Sequence, residues 1–174
     1  MIKYFVYVMK HTFDYKGRAR RKEFWFFQLS LAIIIFLVYL INIVCLTNNE
    51  VFVDALQKAA EGSDMEALMS VMVNYLWPVW VTILILFLPG LAVGVRRLHD
   101  TGKPGWWFLL YYVIYFVGNV FSMINPASKL TSFLGFLLIS IGVVLLIWMF
   151  ADSEEGENEY GPNPKEDEPT EILE

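Results

Sequence analysis

Positively charged side chains are concentrated in two short stretches of this sequence. The first is Gly17–Trp25 (GRARRKEFW) and the second is Arg96–Trp107 (RRLHDTGKPGWW). The arginine guanidinium is a rigid, planar donor that matches a phosphate or a carboxylate group. Two roles are therefore open, and one loop can have both: Asp100 or Glu23 pairs with an arginine and locks the loop, and the arginines bind an anion outside the chain.

Binding of an external anion gives a set of candidate binding residues. A basic side chain beside a bilayer attracts anionic lipid by about 1 kcal/mol, so we expect contact with lipid headgroups or with a protein partner. The simpler interpretation is that the same charges only fix the orientation of the chain in a membrane. The candidates are Arg18, Arg20, Arg21, Arg96, Arg97, His99, Asp100, Lys103, Trp106 and Trp107.

The pair His99-Asp100 is the nearest approach in the sequence to a catalytic or metal-binding arrangement. The sequence has one other histidine, His11, and one cysteine, Cys45, so no set of ligands has the spacing of a zinc site. It also has no phosphate-binding glycine loop, dinucleotide motif or nucleophile elbow. We predict a protein that is not an enzyme and that has no metal and no cofactor.

The elements that must carry these residues are long apolar blocks. They occupy residues 24–46, 76–95, 106–124 and 131–150 of a 174-residue chain that is 57% apolar and 18% charged, with a mean hydropathy of +0.50. About 20 apolar residues in a helix cross the roughly 30 Å hydrocarbon core, and a helix satisfies every backbone amide there. The predicted fold class is an all-α, integral membrane four-helix bundle.

The positions of tryptophan, lysine and arginine support these spans and orient them. All six tryptophans lie within a few residues of a block end, which is typical of the membrane interface. Residues 1–23 contain seven basic residues and residues 96–105 contain three, whereas residues 47–75 contain only Lys58. Because basic residues are enriched on the cytoplasmic side, we predict a multi-pass protein with both termini in the cytoplasm.

The segment before the first span has an apolar face. Phe5, Val8, Met9 and Phe13 follow helical spacing, which predicts a short helix lying in the membrane interface. An irregular aromatic arm packed on the spans is the alternative.

The loop after the first span predicts a helical hairpin. Asn48 or Asn49 can cap a helix that stops at Gly62, and Ser63 and Glu66 have the spacing of a capping box that starts a second helix. After the last span the composition turns acidic and rich in Pro and Gly. We predict a membrane domain over residues 1–164 and a disordered acidic tail over residues 165–174.

The second span contains features that favour a different function. Pro89-Gly90 predicts a kink, and Gly90 with Gly94 allows another helix to approach closely. A kink of this kind can serve as a hinge in a channel or a transporter. The span interiors offer no ionisable residue for a coupled carrier, so this alternative requires an oligomer that forms the pore.

Three stretches together resemble a known family. They are the two basic stretches above and Asn158–Pro164 (NEYGPNP). The resemblance is to a bacterial inner-membrane family, domain of unknown function 805, the YhaH-like proteins, and it covers residues 1–164. It implies a small multi-span protein of the bacterial plasma membrane, with the lipid bilayer as its first partner. The family brings no established activity. Nothing indicates nucleic acid, and a homo-oligomer stays open.

Overall fold

The computed structural model describes residues 1–62, 66, 69, 73 and 76–165. Within this part of the chain six helices have defined bounds, and the only β feature is an isolated bridge between Asn158 and Gly161. The helices are α1 (Ile2–Lys10), α2 (Arg21–Thr47), α3 (Glu50–Ala60), α4 (Trp77–Asp100), α5 (Trp106–Ile124) and α6 (Lys129–Phe150).

The four predicted spans correspond to α2, α4, α5 and α6. Each of these helices is long and apolar enough to cross a membrane, which confirms the all-helical membrane fold class. Their apolar side chains face outward to an extent that water would not tolerate. No residue of α5 is buried, and Phe116 and Phe136 are each 69% exposed. Such surfaces are compatible with lipid, because the lipid tails are as apolar as the side chains and exposure to them has no hydrophobic cost.

Helix α4 extends five residues beyond the predicted span end at residue 95, through Arg96 to Asp100. We expected Arg96–Gly105 to be a connecting turn, whereas its first half is the last part of the helix. The backbone N–H of Gly102 donates to His99 O (3.0 Å) and that of Lys103 donates to Leu98 O (2.9 Å), while Gly102 has a φ of +66°. This is a Schellman ending, and a glycine takes its left-handed position without steric cost.

The structure divides into two compact units, residues 28–88 and the rest of the chain on either side of them. The unit formed by the two chain ends contains α1, which packs on the start of α2. Phe5 stacks on Phe27 with ring centroids 5.6 Å apart, and Tyr4 stacks on Phe26 at 5.4 Å. The segment is thus a helix from Ile2 to Lys10 and not an irregular arm. Its place at the membrane surface stays a prediction.

Close packing joins α4, α5 and α6 within the same unit. A Cβ added at Gly94 would lie 2.9 Å from Cζ of Phe108, so this glycine allows the phenyl ring of α5 to approach α4. Trp107 and Trp148 meet edge to face with centroids 5.3 Å apart. Pro89 lies inside α4, and the helix continues past it. The predicted role of Gly94 in close approach is therefore observed.

The other unit, residues 28–88, contains α3. The side chain of Asn49 accepts hydrogen bonds from the backbone N–H groups of Val51 and Phe52, so it caps α3 as predicted. The predicted second helix of the hairpin, with its capping box at Ser63, falls largely outside the described residues. So does the predicted disordered tail beyond Lys165.

Candidate functional site

Asp100 is the centre of a buried ionic cluster at the C-terminal end of α4. Its side chain is fully buried. Oδ1 accepts from Arg18 Nε at 3.1 Å, and Oδ2 accepts from Arg97 Nη1 and from Ser153 Oγ, the latter at 2.7 Å. A buried carboxylate is tolerated only when it is paired and hydrogen-bonded, and both oxygens of Asp100 meet that condition.

Arg18 connects this carboxylate to the chain that follows α6. Its side chain is only 1% exposed although it belongs to a segment without regular structure. Its Nη1 donates to the backbone carbonyls of Gly156 (2.7 Å) and Gly161 (3.3 Å), and its Nη2 donates to that of Glu154. One guanidinium therefore fixes residues 154–161 against the end of α4.

Arg97 performs the corresponding task at the C-terminal end of α6. Its fully buried guanidinium donates to the backbone carbonyls of Met149 (Nε, 3.4 Å) and Ala151 (Nη2). The last carbonyls of a helix have no partner within the helix and carry partial negative charge. Arg97 thus neutralises a helix end and Asp100 at the same time.

A second buried ion pair joins the start of α2 to the end of α4. Arg96 Nη2 lies 2.9 Å from Glu23 Oε1, and the two side chains are 4% and 7% exposed. The backbone N–H of Ala19 also donates to Arg96 O (3.0 Å). The expectation that Asp100 or Glu23 pairs with an arginine is confirmed for both carboxylates. We refer to Arg18, Glu23, Arg96, Arg97 and Asp100 as the ionic cluster.

The third of the resembling stretches also meets the first two. The ring of Tyr160 stacks on that of His99, with centroids 3.9 Å apart and planes within 3°. Asn158 Nδ2 donates to His99 O (3.0 Å), and His99 Nδ1 lies 3.2 Å from Gly17 O. Partial burial and the neighbouring Glu159 carboxylate raise the pKa of Tyr160 above its ordinary value. The three stretches are therefore one structural unit.

The structure separates the ten predicted binding residues into an inner and an outer set. Arg18, Arg96, Arg97 and Asp100 are turned inward and form ion pairs with internal partners, because an unpaired charge cannot be buried. Among the described residues, Nε of Arg96 has no hydrogen-bond partner, but it is buried and does not face a headgroup. His99, Arg20, Lys103 and Trp107 are half-buried, and Arg21 and Trp106 are exposed. The outer rim, as we name it, consists of Arg21, Lys103, Trp106 and Trp107.

Aromatic contacts hold the outer rim. Trp106 and Trp107 stack with centroids 4.5 Å apart, and Nζ of Lys103 lies 5.9 Å from the ring centroid of Trp148. Arg21 is partly exposed, forms an ion pair with Asp152 (3.0 Å) and donates to the carbonyl of Phe150 (3.2 Å). The rim can therefore present cations and indole rings together.

Several participants were not candidates in the sequence. Ser153 and the backbone carbonyls of Met149 and Ala151 complete the ionic cluster, but one serine in the acidic segment after the last span and two carbonyls leave no recognisable pattern in the sequence. Among the described residues, no three His, Cys, Asp or Glu side chains come together as a metal site.

Comparison with known proteins places this site in a family. A family described as "Protein of unknown function (DUF805)" matches residues 12–162, which include both basic stretches and most of the third stretch. The chain belongs to this family. Its resemblance to the family, stated from the three stretches, is thereby confirmed.

The chain is similar to two inner membrane proteins of Escherichia coli. The chain is 28% identical to inner membrane protein YhaI of strain K12 over 164 residues, covering 94% of this chain and 97% of that protein. It is also 28% identical to inner membrane protein YhaH of strain K12 over 162 residues, covering 93% and 96%. No solved structure matches the chain. The DUF805 family, the inner-membrane relatives and the four candidate spans together show that the environment of this chain is a lipid bilayer.

Proposed function

We propose that this DUF805 protein is a non-enzymatic scaffold of the inner membrane. It holds a rigid face of basic and aromatic residues against anionic lipid or a protein partner on the cytoplasmic side. The observation that carries the proposal is the convergence of three distant stretches on the ionic cluster, where Arg18 bonds to Asp100, 82 residues away, and to Gly161, 143 residues away.

The ionic cluster has the properties of a clamp and not of a reactive centre. Its carboxylates are buried and occupied, so none of them can reach a substrate. Buried ion pairs add little net stability over apolar packing, but losing one partner costs about 3–5 kcal/mol. Such a network selects one arrangement of the segments it joins. The ends of α2, α4 and α6 are fixed in this way, and the start of α5 follows the Gly102 turn.

The outer rim supplies the surface that the clamp positions. Indole rings favour the headgroup level of a bilayer, and cations there attract anionic lipid. Lys103 and Trp106 lie at the start of α5, where a predicted span enters the membrane. Positive charges in residues 1–23 and 96–105 favour the cytoplasmic side for this surface.

The test is the retention of lipid or protein by the native molecule. We would extract the wild-type protein with its surrounding lipid and identify retained species by native mass spectrometry. The rim variant Lys103→Gln/Trp106→Leu should lose anionic lipid by about fivefold for the removed charge. Lys58→Gln on α3 is the matched control and should retain it. The proposal fails if the wild type retains neither anionic lipid nor a protein, or if both variants behave alike.

A second candidate, an oligomeric channel or transporter subunit, is favoured by one feature. A crevice of about 200 Å³ between α5 and α6 is lined by polar Asn119, Ser122 and Thr131 and by Gly118 and Gly135. Polar groups within spans often mark pathways. Pure protein in liposomes would conduct ions or small solutes under this alternative, and Asn119→Leu would reduce the flux. Absence of flux would eliminate it.

A further inference from the structure

A basic cavity lies at the N-terminal end of α2, apart from the ionic cluster. Its volume is about 340 Å³, and the described residues that line it are Arg20, Arg21, Lys22 and Lys165. Each of them is cationic. Small-molecule sites begin at about 300 Å³, so the cavity is large enough for a small ligand.

An anionic oxygen already lies against two of these cations. The Asp152 carboxylate contacts Arg21 (3.0 Å) and Lys165, and the hydrogen bond from Lys165 lowers the pKa of Asp152. The three side chains remain between 44% and 61% exposed. Exposed ion pairs are weak because water and salt screen them, so an external anion can compete for these cations. The described lining residues therefore supply four cationic side chains, two of which contact the Asp152 carboxylate.

The backbone adds to the same field. Arg21 is the first residue of α2, and the first N–H groups of a helix carry partial positive charge without a partner in the helix. Phosphate groups bind at such positions when side-chain cations assist. Arginine provides two parallel donors to phosphate and lysine provides a point charge, and the cavity offers both.

We propose that this basic cavity binds a phosphate group, carried either by an anionic lipid headgroup or by a soluble phosphate compound. The inference deepens the proposed function and rests on it, because it names the chemical group that the basic face takes up. It differs from the sequence-based expectation in its residues: Lys22 and Lys165 replace Arg18, Arg96 and Arg97, which the ionic cluster consumes.

The experiment has two arms that separate the sources of phosphate. The full chain is placed in nanodiscs of phosphatidylcholine and titrated with inorganic pyrophosphate by calorimetry. In the other arm the nanodiscs contain phosphatidic acid, and retained lipid is counted by native mass spectrometry. Binding in the first arm alone identifies a soluble phosphate compound, and retention in the second alone identifies a headgroup. Either result supports phosphate binding in the basic cavity.

The decisive comparison is between variants that remove equal charge. Arg21→Gln/Lys22→Gln should weaken binding by at least about tenfold, because a hydrogen bond to a charged group contributes about 1.5–3 kcal/mol. Lys10→Gln/Lys16→Gln removes two exposed cations of residues 1–20 and should change binding by less than about twofold. Lys22→Gln alone provides a milder variant if the double variant does not fold.

Two outcomes would overturn the inference: equal binding by the wild type and the cavity variant, or an equal loss in the control variant. The result also separates this inference from the proposed function. If the rim variant loses lipid while the cavity variant keeps phosphate binding unchanged, the scaffold stands and the cavity site falls. If the cavity variant loses pyrophosphate while the wild type retains no lipid or partner, the cavity site stands and the scaffold falls.

Discussion

At the residue scale, Asp100 determines how the arginines of this protein are used. The carboxylate accepts hydrogen bonds from Arg18, Arg97 and Ser153. These three residues lie before α2, within α4 and after α6, so the carboxylate joins three parts of the chain. An asparagine of the same size has one acceptor oxygen in place of two, and it has no charge to balance two buried guanidinium groups. The side chain is therefore an electrostatic requirement of the fold.

We expect Asp100→Asn to destabilise the protein by about 3–5 kcal/mol, because it leaves two buried arginines without a counter-charge. Ser153→Ala removes one hydrogen bond to the same carboxylate and should cost about 1 kcal/mol. Unfolding in detergent micelles, followed by circular dichroism, measures both. Equal stability of Asp100→Asn and wild type would show that the cluster is not buried.

The Arg96–Glu23 pair makes a separate prediction. Arg96→Gln and Glu23→Gln should each be destabilising, and the double variant should cost less than the sum by about 0.5–3 kcal/mol. The pair joins residues 73 positions apart, so this coupling would be direct support for the contact. Strictly additive effects in the same unfolding assay would contradict it.

At the element scale, hydropathy predicted the spans well, whereas the charged motif after the second span led to a wrong position for the end of α4. The blocks at 24–46, 106–124 and 131–150 lie within or match α2, α5 and α6, because long apolar runs have few alternatives in lipid. The end of α4 was predicted too early, at residue 95. Charged residues after an apolar block suggest a loop outside the membrane. Here the helix continues to Asp100, because its charged residues have buried partners of opposite charge.

Gly102 makes the helix end testable. Gly102→Ala places a Cβ at a φ of +66° and 2.7 Å from Glu154 Oε2. The strained backbone costs about 1–2 kcal/mol, and the contact adds to it. Gly17→Ala is the control, since Gly17 has a φ of +79° with nothing within 4 Å of the added atom. Melting temperatures should rank wild type, Gly17→Ala and Gly102→Ala in descending order. Equal values for the two variants would show that the Glu154 side chain moves away from the added methyl group without cost, and a Gly102→Ala variant as stable as wild type would contradict the left-handed end of α4.

The pairing within the site could be predicted only in kind. Two carboxylates and several arginines in short stretches indicated that an ion pair would form, and both Asp100 and Glu23 do pair. Which arginine pairs with which carboxylate depends on contacts between residues up to 82 positions apart in the chain, and a single sequence does not show which distant segments come together. The basic cavity was missed for the same reason, because Lys165 follows the last helix.

At the scale of the whole molecule, the distribution of charge predicts its orientation. In a Cys45→Ser background, Lys16→Cys should react with a membrane-impermeant maleimide only after the inner membrane is permeabilised. Lys58→Cys should react in spheroplasts without permeabilisation. The reason is the excess of basic residues in residues 1–23 over residues 47–75. The opposite labelling pattern would reverse the topology and remove the scaffold from the cytoplasmic side.

The long-range bonds of Arg18 also impose an order on biosynthesis. Arg18 emerges from the ribosome long before Glu154, Gly156 and Gly161, whose carbonyls it finally binds. Until residues 153–161 are translated, Arg18 and Asp100 lack the hydrogen bonds that this segment supplies, so quality-control proteases can recognise the chain as incompletely folded. We expect chains truncated after Phe150 to insert but to be degraded rapidly in a pulse-chase experiment, whereas chains ending at Lys165 persist. Equal half-lives would show that maturation does not wait for the final segment.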